Sequence, residues 1–287
     1  MNRFKRNIFG VMFICTVTIF MVGCNNQIRD SKTADTQSES NLASTLTWSE
    51  IEKSLSEKGF QPVKTTEDNG IYKINDIAPA IYCLNDTESI LLYEFSSIAE
   101  RVRNVPGSHL ADALAYQYPL SDTYSHWTFS TRNFLIVYRV DNKVVNEFLL
   151  GNNLKIMKQV ALDLNEGEEV LLHGKNQNWE AQAFIQYYQN WYKDEKGRIK
   201  ADQMSQQVVS FKYCGIKDDK LQSIKYEYKY PSGTGRGTVN NRSEDNDGWL
   251  SLGRIDSSFV PDSQTVCTLN LTWDNNNECI NMTQKIN

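Results

Sequence analysis

The segment Trp179-Glu-Ala-Gln-Ala-Phe-Ile-Gln-Tyr-Tyr188 decides the fold class of the second half of the chain, because its residues alternate between two chemical kinds. The odd positions carry Trp, Ala, Ala, Ile and Tyr, whereas the even positions from 180 to 186 carry Glu, Gln, Phe and Gln. Successive side chains of a strand point to opposite faces of a sheet. The alternation therefore predicts a strand with one buried face and one face turned to solvent.

The same pattern continues on both sides of this segment, and we find no helical periodicity between residues 166 and 287. Several short strands separated by turn-rich loops predict an all-β, sandwich-like C-terminal domain over residues 166–287. The predicted strands are Val170–Gly174, Trp179–Tyr188, Val208–Tyr213, Leu221–Tyr230, Trp249–Ile255, Val266–Trp273 and Glu278–Ile286.

Residues 47–165 predict a different unit, an α+β domain with helices on one face of a small antiparallel sheet. Capping boxes at Thr47–Glu50 and Ser97–Glu100 predict the starts of two helices. Two hairpins and a closing helix complete the pattern, and the polar segment from 165 to 169 marks the domain boundary. The predicted segments are Ala80–Leu84 with Ile90–Phe95, Trp127–Thr131 with Phe134–Val140, and Asn153–Leu164.

The first 23 residues have the three parts of a secretory signal peptide. A basic start with Arg3, Lys5 and Arg6 precedes an apolar run from Ile8 to Val22, which is shorter than the about 20 residues of a membrane span. The run ends in Met21-Val22-Gly23-Cys24, which resembles the lipobox of bacterial lipoproteins.

This resemblance implies that Cys24 is the lipid attachment site. The Cys24 thiol would be lipidated through a thioether, the chain would be cleaved after Gly23, and the new N-terminus would be acylated, for example with palmitate. At least two acyl chains are needed for stable anchoring. We therefore expect a lipid-anchored protein on the extracytoplasmic face of the cell membrane, with residues 24–46 as a flexible polar tether.

The charge of the chain argues against nucleic acid as a partner. The net charge is −5, and removal of residues 1–23, with three basic and no acidic residues, would make it −8. An acidic chain lacks the basic surface that phosphate backbones require.

The segment Leu171–Trp179 and the strand after it are similar to a β-domain of uncharacterised lipoproteins from Gram-positive bacteria. That resemblance implies location and fold, but no activity.

Motifs that could carry chemistry each lack a necessary part. The glycine-rich stretch Gly233–Gly237 has no following Lys-Ser/Thr and no helix, as a phosphate-binding loop requires. A calcium loop over Ser243–Gly248 would begin with serine and place Arg254 where the bidentate glutamate belongs. Asp218 and Asp219 are predicted to lie in a hairpin turn, not across a cleft.

The histidines and nucleophile candidates give the same result. His109, His126 and His173 are scattered without HExxH spacing. Ser108 and Asp112 flank His109 but no G-x-S-x-G elbow is present. The sequence therefore predicts no catalytic residue, no metal site and no cofactor.

A row of tyrosines is predicted to be part of the core, and a polar segment after it is predicted to be a loop. Tyr226, Tyr228 and Tyr230 alternate with charged residues, which is typical of the buried face of a sheet, although a sugar-stacking platform is the alternative. The segment Pro231–Asp247 contains a single large apolar residue, Val239, and is predicted to be a long projecting loop, which either contributes to a contact surface or is simply disordered.

Four cysteines besides Cys24 remain after processing: Cys83, Cys214, Cys267 and Cys279. An exported protein allows disulfides, and three full pairings are open. Pairing of Trp273 with Glu278 across a four-residue loop would place Cys267 on the inner face and Cys279 on the outer face. We therefore expect no bond between these two cysteines.

Together these features favour a non-enzymatic binding or scaffold lipoprotein, with an envelope protein or a glycan as partner. The alternative is a cell-envelope hydrolase or wall-modifying enzyme whose residues meet only in the fold.

Processing at Cys24 gives the first prediction. Cys24→Ala should abolish signal removal and lipid attachment, since the thiol is the atom that the lipid bonds. The wild-type chain should become shorter and partition into a detergent phase, whereas the variant should do neither. An unchanged size and unchanged membrane association of Cys24→Ala would contradict the lipoprotein assignment.

Overall fold

The computed structural model describes residues 41–66, 72–105, 124–141, 147–215, 223–240, 248–274 and 276–284. Residues 37–287 group by their contacts into one compact unit. The described helices are α1 (Trp48–Glu57), α2 (Ile98–Asn104) and α3 (Glu147–Leu164). The strands are β1 (Val63–Lys64), β2 (Ala80–Cys83), β3 (Glu88–Glu94), β4 (Tyr124–Thr131), β5 (Phe134–Asp141), β6 (Glu168–Lys175), β7 (Trp179–Lys193), β8 (Ile199–Tyr213), β9 (Ser223–Tyr230), β10 (Gly233–Asn240), β11 (Leu250–Ser257), β12 (Val266–Trp273) and β13 (Asn276–Gln284).

The first five strands form an antiparallel sheet in the order β1-β2-β3-β5-β4. The two predicted hairpins are present: β2 pairs with β3, and β4 pairs with β5 around Arg132-Asn133. Both faces of this sheet are covered by apolar side chains. Residues of α1 and α3, such as Leu55 and Met157, pack on one face, and Val105 packs on the other.

The last eight strands form one antiparallel sheet in the order β10-β9-β12-β13-β6-β7-β8-β11. The prediction of a β-rich fold is confirmed. These strands form one continuous sheet, however, and not the two packed sheets of a sandwich. The sheet curls around a single core, and its two edges approach: a Cβ at Gly235 in β10 would lie 3.7 Å from Ile255 Cδ1 in β11. Continuous pairing from strand to strand leaves no break at which a second sheet could separate.

Strand β10 corrects the predicted loop over Pro231–Asp247. Residues 233–240 pair with β9 throughout, and residues 241–247 lie outside the described residues. The three glycines that suggested a loop sit opposite Tyr230, Tyr228 and Tyr226. A Cβ at Gly233 or Gly237 would come within 2.6 Å of a tyrosine hydroxyl, so the glycines make room for rings. The glycine content of this segment thus reflects packing against the tyrosine rings and not loop flexibility.

The tyrosine row itself is confirmed as a packed face of the sheet. Tyr228 is fully buried and donates a hydrogen bond of 2.7 Å to Gln207 Oε1, while Tyr226 and Tyr230 pack against the same core. Tyr228 is closed to solvent and cannot stack on a sugar, whereas Tyr226 and Tyr230 are only partly buried.

The hairpin β12–β13 has the predicted face assignment with a different register. Trp273 pairs with Asn276, so the turn has two residues instead of four, and Leu269 pairs with Ile280. A shift of two residues keeps every side chain on its face. Cys267 is buried and Cys279 is exposed, as predicted, and the four described cysteines are free thiols.

The end of the predicted tether belongs to the fold. Leu42 forms a parallel bridge with Trp191, and Ala43 N donates to Trp191 O at 2.9 Å. Leu46 is buried, and its N–H donates to Asn133 Oδ1 at 2.6 Å. Residues 42–46 are therefore ordered against both sheets, which corrects the expected flexibility of the tether up to residue 46.

A buried polar junction joins the two sheets. Its centre is Arg101 on α2, whose guanidinium forms an ion pair with Asp202 on β8 and donates to the carbonyl of Arg132. The Arg101 and Asp202 side chains are only 2% and 14% exposed. The contact thus links helix α2 to strand β8 of the eight-stranded sheet, and both side chains are shielded from water.

Three asparagines extend the junction around the tip of the β4–β5 hairpin. Asn165 Oδ1 accepts hydrogen bonds from Arg132 N at 3.0 Å and from Asn190 Nδ2 on β7 at 2.8 Å. Asn133 Nδ2 donates to the carbonyls of Leu46 and Phe95 at 3.3 Å. All three asparagines are buried, so their partners replace the water they lost on folding.

The ion pair predicts a large and specific effect on stability. Asp202→Asn leaves the Arg101 charge buried without a counterion, which should lower the free energy of unfolding by about 3–5 kcal/mol. The matched control is Glu57→Gln, which breaks the exposed Lys53–Glu57 pair on α1 and should cost less than about 0.5 kcal/mol. Urea unfolding measures both; equal losses would contradict the role of the junction.

Candidate functional site

Most residues singled out by sequence motifs lie outside the described residues. This group comprises Cys24, Ser108, His109, Asp112, Asp218, Asp219 and residues 243–247. Their roles, including lipid attachment to Cys24, stay predictions.

The two described histidines lie on different sheets. His126 is on β4, where burial lowers the pKa of its imidazole. His173 is on β6, and its Nε2 lies 3.0 Å from Glu180 Oε1 on β7. The fold does not bring these two together.

A charged cluster lies on the outer face of β9, β10, β12 and β13. Glu227 lies at its centre, opposite Arg236 on one side and Asn270 on the other. We call this cluster the Glu227 patch; it consists of Lys225, Glu227, Lys229, Arg236, Asn270, Thr272 and Asn277.

Both oxygens of the Glu227 carboxylate are occupied by donors from the patch itself. Oε1 accepts from Arg236 Nε at 2.7 Å and from Arg236 Nη2. Oε2 accepts from Lys229 Nζ at 2.8 Å and from Asn270 Nδ2 at 3.2 Å. Hydrogen bonds from Lys229 and then Arg236 lower the pKa of Glu227 from 4.5 to about 2. Glu227 is therefore ionised at neutral pH and holds no proton to donate as a general acid.

An open depression lies beside this carboxylate, with a volume of about 380 Å³. Its walls come from three adjacent strands, because Thr272 on β12 pairs with both Lys225 and Asn277. The lining is mostly polar, with an ammonium, a carboxylate, a hydroxyl and two amides, and Tyr226 also contributes to it. Such a surface suits recognition of a polar partner more than enclosure of an apolar small molecule.

A second carboxylate on the outer face of β6, β7 and β8 has a similar environment. Besides His173, Glu180 meets Lys212 Nζ at 3.4 Å, Lys175 Nζ at 3.9 Å and Cys214 Sγ at 3.8 Å. The hydrogen bond with His173 is the main cause that lowers the pKa of Glu180. Lys212 also lies 4.7 Å from the ring centre of Trp249. Both carboxylates are thus anionic centres surrounded by bases.

An apolar row crosses the same outer face. Leu171, Phe184 and Val208 are partners in register on β6, β7 and β8, and they are 48%, 37% and 40% exposed. Three neighbouring apolar side chains on a solvent-facing sheet are more than scattered surface residues. The outer face therefore offers both charged and apolar contacts.

Sequence patterns contained a signal for the Glu227 patch that the interpretation did not use. Lys225, Glu227 and Lys229 alternate with the tyrosines, so a buried tyrosine face places all three outside. The predicted loop over Pro231–Asp247 conceals the pairing of Arg236 with Glu227. The neighbours of Asn270 and Glu180 on adjacent strands follow only from the order of the strands.

The described residues also bear on metal binding and membrane spans. Within them, no three His, Cys, Asp or Glu side chains come together as metal ligands would. No helix in these ranges is both long and apolar enough to cross a bilayer.

Comparison with known proteins yields no match. No family model fits the sequence, and neither the curated proteins nor the solved structures contain a significant relative.

The electrostatics of Glu227 predict its titration. Lys229→Gln should raise the pKa of the Glu227 carboxyl most and Arg236→Gln next, toward 4.5, because these residues supply its strongest hydrogen bonds. In the wild type the stabilisation from Glu227 should be complete above pH 4.5 and fade as the pH falls toward about 2. Carbon-detected NMR titration measures the pKa, with Lys175→Gln as the control that leaves it unchanged. A wild-type pKa near 4.5 would refute the arrangement.

Proposed function

We propose that the protein is a membrane-anchored, extracytoplasmic lipoprotein that binds an envelope protein or glycan and does not act as an enzyme. The anchor is Cys24, as the lipobox implies. The domains would be an α+β unit over residues 47–165 and a β unit over residues 166–287, which the polar junction holds together.

The observation that carries the binding role is the state of the outer-face carboxylates. Glu227 has a pKa of about 2 and saturated oxygens, so it is a poor acid and a poor base near neutral pH. Glu180 is likewise held ionised by its neighbours. Charged groups fixed by one another on an open face serve complementarity to a partner.

The path of the chain supports a separation between the folded unit and a membrane. Leu42 forms a bridge with Trp191, which lies near the turn that connects β7 to β8. Residues 24–41 would then span at most about 60 Å between the lipid and the fold. That reach is enough to hold the folded unit clear of a bilayer surface.

Site-specific crosslinking in intact cells tests the proposal. A photoreactive residue at Phe184 or Thr272, on the outer face, should capture a defined envelope partner. The same residue at Glu57, exposed on α1, is the matched control and should not capture it. The product should disappear in Cys24→Ala, because the anchor places the protein near its partner.

Two results would overturn the proposal. One is a product that forms equally from Glu57 and from the outer-face positions. The other is a product whose yield does not change when Cys24 is replaced.

A further inference from the structure

The balance of donors and acceptors in the Glu227 patch restricts what can bind there. The four interactions already made by Glu227 fill the acceptor sites of its carboxylate. The hydroxyl groups of a neutral sugar would need such acceptors, as well as donors. The strongest acceptor of the patch is therefore closed to a ligand.

Donors, in contrast, are in excess. Arg236 and Lys229 each keep N–H groups beyond those that Glu227 accepts, and their side chains are 75% and 53% exposed. Lys225 adds a further exposed ammonium at the depression. Three bases against one acid leave a local positive charge on a chain whose net charge is −5. A ligand that fits must bring negatively charged acceptor atoms.

The arrangement of the bases fits an extended ligand. Lys225 and Lys229 project from the same face of β9, four residues and thus about 13 Å apart. Arg236 lies between them, across from Glu227. The depression is open, so a chain can pass along the strand without entering a closed pocket.

We propose that the Glu227 patch binds the carboxylate or phosphate groups of an anionic glycan, with Lys225, Lys229 and Arg236 as the contact residues. The inference rests on the proposed function, in which the outer face meets an envelope partner. Glu227 occupies some of the donors of Arg236 and Lys229 and limits the positive charge of the patch.

Binding of defined polymers to the full processed chain in detergent micelles tests this assignment. The probes are fluorescent poly(glycerol phosphate), polygalacturonate and neutral dextran in about 0.1 M salt. One or both anionic polymers should bind, and the tighter one identifies phosphate or carboxylate as the natural group. Dextran should not bind.

Two variants with opposite expected effects make the test specific. Lys225→Gln should weaken binding about tenfold, the loss expected for one charge-assisted hydrogen bond, and should flatten the salt dependence. Glu227→Gln should tighten binding, because it frees donors of Arg236 and Lys229 and removes the negative charge. Lys53→Gln on α1 is the matched control and should change nothing. Circular dichroism verifies that each variant folds.

Dextran binding that Glu227→Gln abolishes would overturn the inference in favour of a neutral glycan. Equally tight binding of a single-stranded oligonucleotide, with the same dependence on Lys225, would overturn the choice of a glycan. If outer-face crosslinks persist in cells while neither anionic polymer binds, this inference fails and the proposed function stands. If no crosslinks form from the outer-face positions of the wild-type protein in cells, both the proposed function and this inference fail.

Discussion

The buried ion pair between Arg101 and Asp202 is the contact on which the arrangement of this protein depends. A guanidinium and a carboxylate shielded from water are stable only with each other and with full hydrogen bonding. Satisfying Arg101 requires α2, the tip of the β4–β5 hairpin and strand β8 to meet at one point. Asn165 and Asn190 then fix the hairpin tip against β7. Polar groups thus define how the two sheets join, whereas apolar residues build each sheet.

This junction also connects the fold to the function we propose. The segment that leads from Cys24 enters at Leu42 and ends at Leu46, where it is bonded to Asn133. The docking point of the tether is therefore fixed, and so is the orientation of the eight-stranded sheet relative to that point. The outer face, with the Glu227 patch and the exposed apolar row, is the surface that this arrangement holds in place.

Local patterns predicted the elements of the fold better than their assembly. The Arg132-Asn133 turn is encoded in neighbouring residues and agrees with its prediction, whereas the β12–β13 turn has two residues instead of the predicted four. The single sheet was missed because strand order depends on contacts between distant residues. Strand β10 was missed because glycine usually marks loops, whereas here Gly237 faces Tyr226 across a pair of strands. The Glu227 patch depends on that same pairing, so it could not be assembled from sequence alone.

If the junction holds the fold together, both sheets and residues 42–46 unfold as one cooperative unit. Native-state hydrogen exchange tests this most directly, because it reports the opening free energy of each amide. The slowest amides of β5 and β7 and the bonded amide of Leu46 should exchange with the same opening free energy, and Asp202→Asn should lower all of them together. Separate opening of the two sheets, with the variant affecting only one, would contradict the account.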